Sequence, residues 1–207
     1  MTGHLGRTAL AQAAEVVAPL LLGATLTKSS VDGAVAVRIT EVEAYGGVGA
    51  DAASHAHKGE SPRNSVMFDK PGLLYVYFIY GMHWCANVVC GPPGTGSAVL
   101  LRAGEVSEGL ALARERRPTA RADRELARGP ANLCAALSIT GDDNGTDLLG
   151  RGSDVRLGVP RSPTQNIEVS RGPRVGITRE ADRPWRWWIA GAPSVSRSPR
   201  RGSDTPR

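Results

Sequence analysis

Between Gly72 and Glu105 the sequence repeats one unit, an apolar β-favouring run followed by turn residues. "GLLYVYFI", "WCANVVC" and "AVLLRAGE" each read as a strand. Tyr80-Gly81-Met82-His83 sits between the first two as a hairpin connection, and "GPPGTGS" separates the second from the third. Upstream, "AVAVRITEVEAY" alternates, which places Val35, Val37, Ile39, Glu41 and Glu43 on one face of a fourth strand. With 25 Gly and 14 Pro in 207 residues, the chain favours many turns over long helices.

The remaining segments frame these strands. "TALAQAAEVVAPLLLGATL" has helical spacing, with Pro19 expected to break or restart the helix. "GGVGADAASHAHKGESPRN" and "GDDNGTDLLG" read as loops. "EGLALARERR" and "ADRELARGPANLCAALSI" read as helical, with Gly129-Pro130 as a stop-and-restart signal. "PRVGIT" and "WRWWIAG" read as two last strands. One domain is expected over residues 1–196, followed by a basic, disordered tail over 197–207.

Several function classes fall away. No apolar run reaches the roughly 18 residues of a membrane span, and the N-terminus lacks signal-peptide regions. The three cysteines form no CxxC pair, which suits a reducing cytoplasm and buried thiols rather than disulfides or zinc. The acids of "GDDNGTDLLG" lack EF-hand spacing, so no metal is expected there. Residues 1–110 hold 7 Lys/Arg against 9 Asp/Glu, whereas residues 111–207 hold 18 against 11. This mild basic bias permits nucleic-acid binding without requiring it.

Three features point to chemistry. Glu43 ends a strand on an apparently inward face, where a carboxylate is costly unless paired. Arg102 ends another strand and is a candidate partner. The two form either a plain buried ion pair or a base held ionised by the arginine. His55 and His57 form an H-x-H pair without a third ligand nearby, so a hydrogen-bonding His55 beside a pocket is the better reading. Finally, five of the ten aromatic residues fall within 75–89. Strand preference accounts for Tyr75 but not for Tyr80, whose ring flanks Gly81 at a turn and should project outward. A large ring at a hairpin tip suits a wedge that enters a base stack.

"ITEVEAY", "SPRNSVMFDKPGLLYVYFIYGMHWCANVV", "AVLLRAGE", "DRELARGPANLCAAL" and "PRVGIT" resemble, in order and spacing, the alkyladenine (3-methyladenine) DNA glycosylase family. The resemblance runs from about residue 16 to 196. It implies a compact mixed α/β domain with a curved antiparallel sheet, flanking helices and a protruding, DNA-inserting β-hairpin. The implied activity is removal of alkylated or deaminated purines, such as 3-methyladenine, hypoxanthine and ethenoadenine, by hydrolysis of the N-glycosidic bond. By motif, Glu43 corresponds to the general base, Arg102 to an arginine near the attacking water, and Val175 to a residue whose carbonyl also holds that water. Tyr45, His55 and Tyr77 correspond to the walls around the flipped base. Asn87 corresponds to the asparagine that crowds the guanine amine, and Tyr80 and Met82 to the residues that enter DNA.

Two departures stand out. His55 lies one residue further from Tyr45 than in the mammalian pattern, and His83-Trp84 replaces a Tyr-Phe pair.

The resemblance gives the tyrosines one physical purpose. A base must leave the stack before it can be attacked. One ring fills the gap while others stack on the base, and electron-rich phenols favour cationic N-alkylated purines. No cofactor and no lyase step are expected. The expected partner is double-stranded DNA containing damaged purines, bound by a cytoplasmic, nucleoid-associated monomer. Two rival readings are a catalytically silent lesion- or nucleic-acid-binding module and a small-molecule hydrolase. Glu43 with Arg102 argues against the first, and Tyr80 with the basic C-terminal half against the second.

Overall fold

The structure, a computed structural model, describes residues 6–158 and 167–196. Its centre is a curled antiparallel sheet of nine strands: β1 (Thr25–Ser30), β2 (Gly33–Tyr45), β3 (Leu74–Ile79), β4 (His83–Cys90), β5 (Ser97–Glu108), β6 (Ala127–Arg128), β7 (Val155–Gly158), β8 (Val169–Gly172) and β9 (Arg186–Ile189). The main path runs β3-β4-β5-β2-β1-β7. The long strand β2 organises the rest. Along one edge it pairs with β5 from Ala36 to Tyr45; along the other it pairs first with β1 and then, at Glu41–Glu43, with β9.

Among the described residues, four short α-helices accompany the sheet: α1 (Arg7–Leu10), α2 (Ala14–Leu20), α3 (Leu110–Arg116) and α4 (Pro130–Leu137). Helices this short are marginal alone and are held here by packing. Leu10, Val17, Leu133 and Leu137 are buried against Val35, Val37, Ile39, Val88 and Leu101 of the sheet. Full burial of each such side chain contributes about 1.5–3 kcal/mol. No described helix is long and apolar enough to cross a membrane.

The alternation of β2 does not continue as its sequence reads. Val35, Val37 and Ile39 enter the main core, but so do Val42 and Ala44, so the side-chain parity switches between them. The cause is a pair of bulges. Ile39 pairs with Gly104 and Glu41 with Ala103, leaving Thr40 extra; Val42 then pairs with Leu101, leaving Arg102 extra. A bulge bends a strand and re-aims the side chains beyond it. Glu43 therefore lies on the face opposite Ile39, not on the same one. Gly104 permits the close approach here, because a Cβ would lie 2.2 Å from Val37 Cγ1 and 2.6 Å from the Arg38 carbonyl.

Other local readings shift as well. "PRVGIT" is not a strand; Val169–Gly172 takes that place as the partner of β9. β1 starts inside the run read as helical, and Pro19 lies within the last turn of α2 rather than breaking it. "ADRELARGPANLCAALSI" divides into a 3-10 turn (Asp123–Glu125), the short strand β6 and then α4 with Pro130 in its first turn. The tail read over 197–207 lies outside the described residues.

Candidate active site

The sheet face opposite the main core carries a cavity of about 370 Å³, within the size range of small-ligand pockets. Three strands supply its walls by simple alternation: Tyr75, Tyr77 and Ile79 from β3, His83, Cys85 and Asn87 from β4, and Leu100 and Arg102 from β5. Tyr45, His55, Tyr80 and Val175 complete it, with Pro130 and Ala131 from the start of α4. Of the residues expected from sequence, Tyr45, His55, Tyr77, Tyr80, Asn87, Arg102 and Val175 all line it. Met82 does not, lying exposed on the β3–β4 connection.

Glu43 sits behind this lining with no exposed surface. Three donors reach its carboxylate. The Val175 amide donates to Oε1 at 2.7 Å, the Tyr45 hydroxyl to Oε2 at 2.9 Å, and Arg102 Nη1 to Oε2 at 3.4 Å. Burial nevertheless raises its pKa above the usual carboxylate value; Arg102, the Val175 amide and Tyr45 pull the other way, and the nearby Glu41 adds to the rise. The result is a dry carboxylate held by three donors that is more basic than one in water.

Arg102 is itself held from behind. Its Nε donates to Glu41 Oε1 at 3.0 Å, and Nη2 to Ser196 Oγ at 3.2 Å. Glu41, also fully buried, further accepts from Arg186 Nε at 2.7 Å and from the Ser196 amide at 2.6 Å. Glu41 and Glu43 are two apart on one strand face, so the "EVE" spacing did signal a second buried acid. Arg186 and Ser196 are far away in sequence, and no local pattern announces them.

The aromatic walls touch one another. The His55 and Tyr77 rings meet edge-on, with centroids 4.5 Å apart and planes at 77°. His55 Nδ1 lies 3.1 Å from the Tyr75 hydroxyl. Partial burial, with Arg63 nearby, lowers the pKa of His55 and so favours the neutral ring. Burial pushes the Tyr75 phenol up to about 12 and, with Cys85 beside it, pushes Tyr77 higher still. Both therefore remain neutral, electron-rich rings at physiological pH. The Asn87 amide donates to the Tyr75 carbonyl at 3.1 Å, which fixes its orientation in the floor.

Tyr80 differs from all of these. It is 81% exposed and adopts φ 55°, a left-handed backbone that non-glycine residues rarely take. Gly81 follows at φ 66°, and the Met82 amide closes the turn onto the Ile79 carbonyl at 3.3 Å. Left-handed backbone at two successive residues is the geometry of a tight hairpin turn, and Tyr80 gains little burial from it. The departure at Trp84 is structural: its ring packs on Phe78 with centroids 4.6 Å apart and covers Gly141, where a Cβ would approach to 2.8 Å. His83 lines the cavity.

Comparisons with known proteins place the chain as a whole. Residues 8–193 match the family described as methylpurine-DNA glycosylase. A Nocardia farcinica protein named "Putative 3-methyladenine DNA glycosylase" is 54% identical over 187 residues, covering 87% of this chain and 86% of its own. Proteins of the same name from Leifsonia xyli subsp. xyli and Mycobacterium leprae are each 50% identical, over 92% and 89% of this chain and 91% and 86% of their own. With the match extending over nearly all of the described chain, and with a buried Glu–Arg pair behind an aromatic pocket, the protein belongs to the methylpurine-DNA glycosylase family.

Proposed function

We propose that this chain is a monofunctional DNA glycosylase that extrudes damaged purines from duplex DNA and hydrolyses their N-glycosidic bond, initiating base excision repair. The observation that carries this reading is the placement of buried Glu43 directly behind a pocket walled by Tyr45, His55 and Tyr77. Water attacks C1′, its proton passes to Glu43, and the electrons of the C1′–N bond leave with the purine. Neutral substrates such as hypoxanthine leave with a proton drawn from solvent, which balances the one that Glu43 takes from the water. Arg102 helps keep Glu43 ionised, and the backbone at Val175 helps hold the water. Neutral phenol faces favour cationic substrates such as 3-methyladenine, while ethenoadenine and hypoxanthine are retained by stacking. None of the three lysines lines the cavity, which supports water over a Schiff-base step. Such a protein works at the nucleoid as a monomer, with residues 1–196 as its glycosylase domain.

Incubation with a hypoxanthine-containing duplex, followed by alkali, tests this reading. Strand scission only after alkali is expected. Scission before alkali overturns the monofunctional assignment, and none under either condition supports a silent binding module.

Two further outcomes follow. If arginines neutralise phosphates, log affinity for DNA falls linearly with log salt; deletion of 197–207 weakens non-specific binding more than it changes excision at saturating enzyme. A flat salt response argues against DNA as partner. If Asn87, held by its bond to Tyr75, crowds the guanine amine, Asn87→Ser admits undamaged guanine while retaining hypoxanthine excision. Unchanged guanine rejection in matched and mismatched duplexes places that filter elsewhere.

A further inference from the structure

Asp51 and Arg174 form the most completely buried ion pair described, with no exposed side-chain surface on either residue. The pairing is bidentate: Arg174 Nη1 to Asp51 Oδ2 at 2.6 Å and Nη2 to Oδ1 at 2.9 Å. Neither residue lines the cavity. A buried pair of this kind contributes little net stability compared with an apolar pair of the same shape, so its partners are informative.

Those partners are the parts of the active site. Asp51 accepts from the Gly46 amide at 3.0 Å and the Ala53 amide at 3.1 Å, gathering the loop that carries His55. Arg174 donates to the Ala44 carbonyl at 3.0 Å, at the end of β2 between Glu43 and Tyr45. Its guanidinium lies 4.7 Å from the centre of the Tyr45 ring and 5.4 Å from that of Trp185. The next residue, Val175, donates its amide to Glu43. One ion pair therefore ties together three chain segments that supply a wall residue, a hydroxyl donor and an amide donor.

We propose that Asp51 and Arg174 are positioning residues for catalysis, clasping the Tyr45 ring and the Val175 amide in the places from which both bond Glu43. The proposal rests on Glu43 being the base. Two of the three donors that favour the ionised carboxylate depend on this clasp. The Arg174 charge also reaches Glu43 directly; the other charged and titratable groups facing Glu43 are Arg102 from β5, Glu41 from its own strand, and Tyr77 from β3. None of these touches Asp51 or Arg174.

The test uses the double variant Asp51→Leu/Arg174→Met, which removes the pair without stranding a charge, alongside Arg174→Lys. Lysine keeps the charge but cannot form the two-pronged bond or stack on Tyr45 in the same way. Single-turnover excision of hypoxanthine at saturating enzyme is measured across pH, with binding to undamaged duplex and thermal melting as controls. The double variant is expected to melt cooperatively and bind undamaged duplex normally. Its excision should fall roughly 10- to 100-fold, the scale of a misplacement of about 1 Å near reacting groups. The acid limb of the rate profile should move to higher pH, because Glu43 loses donors and a nearby positive charge that favour its ionised form; Arg174→Lys keeps the charge and so isolates the donors. Arg174→Lys should move that limb in the same direction by less. A purely architectural pair lowers the melting temperature and leaves the limb in place; that result, or a wild-type rate in either folded variant, overturns the proposal. Glu43→Gln separates the two readings. If it abolishes excision while the pair variants leave rate and limb unchanged, the clasp fails and the base stands; if it leaves excision intact, the base assignment fails, and this proposal with it.

Discussion

Glu43→Gln is expected to bind a hypoxanthine-containing duplex and to lose single-turnover excision by at least ~100-fold, the lower scale of general-base effects. The substitution preserves shape, and its amide oxygen still accepts from the Val175 N–H, which lies 2.7 Å from Oε1 in the wild type. What disappears is the site that accepts the proton of water. The wild-type rate should also show an acid limb. Burial raises the Glu43 pKa despite Arg102, Val175 and Tyr45, so its midpoint lies above the ordinary glutamate value of about 4.3. Excision is lost as pH falls through that point, because protonated Glu43 cannot accept a proton. Glu43→Gln removes that limb along with the rate. Near-normal excision by the folded variant contradicts the base role.

Tyr80→Ser should lower excision from paired duplex by roughly 5- to 150-fold, equivalent to ~1–3 kcal/mol of lost stacking. Tyr80 is 81% exposed and lies on a turn, outside both core clusters. The fold therefore tolerates its loss; serine also keeps a hydroxyl, so the comparison isolates the ring. The effect should shrink when the lesion lies opposite an abasic site or in single-stranded DNA, where less unstacking is required. Equal excision by wild type and variant in paired and unpaired contexts means that the ring is not a wedge.

The strands were legible because "GLLYVYFI", "WCANVVC" and "AVLLRAGE" are apolar, β-favouring runs set between turn signals. Arg102 stood out at the end of a strand, whereas Tyr77 and Asn87 took their roles from the family resemblance; all three line the cavity, from three neighbouring strands. Glu43 was recognised for its oddity, but on the wrong face, because a bulge adds one residue to a ladder and leaves no mark in composition. β1, β6, β7 and β8 escaped notice for a related reason. They are short or polar ("TLTKSS", "AR", "VRLG", "VSRG") and draw their order from the strand beside them. Asp51, Arg174 and Arg186 escaped entirely. Asp51 lies 123 residues from Arg174, and Arg186 lies 145 from Glu41; only the fold brings each pair together. The resemblance to a family supplied roles where local patterns supplied only residues.

One measurement addresses the whole account. A duplex carrying hypoxanthine beside 2-aminopurine, whose fluorescence rises on unstacking, is mixed in a single turnover with the wild-type protein or Glu43→Gln, and free hypoxanthine is quantified alongside. Both proteins should produce the rise in fluorescence, and only the wild type should then release the base and leave an alkali-labile strand. Release of hypoxanthine without a preceding rise, or release by Glu43→Gln at the wild-type rate, contradicts a buried glutamate acting on an extruded purine.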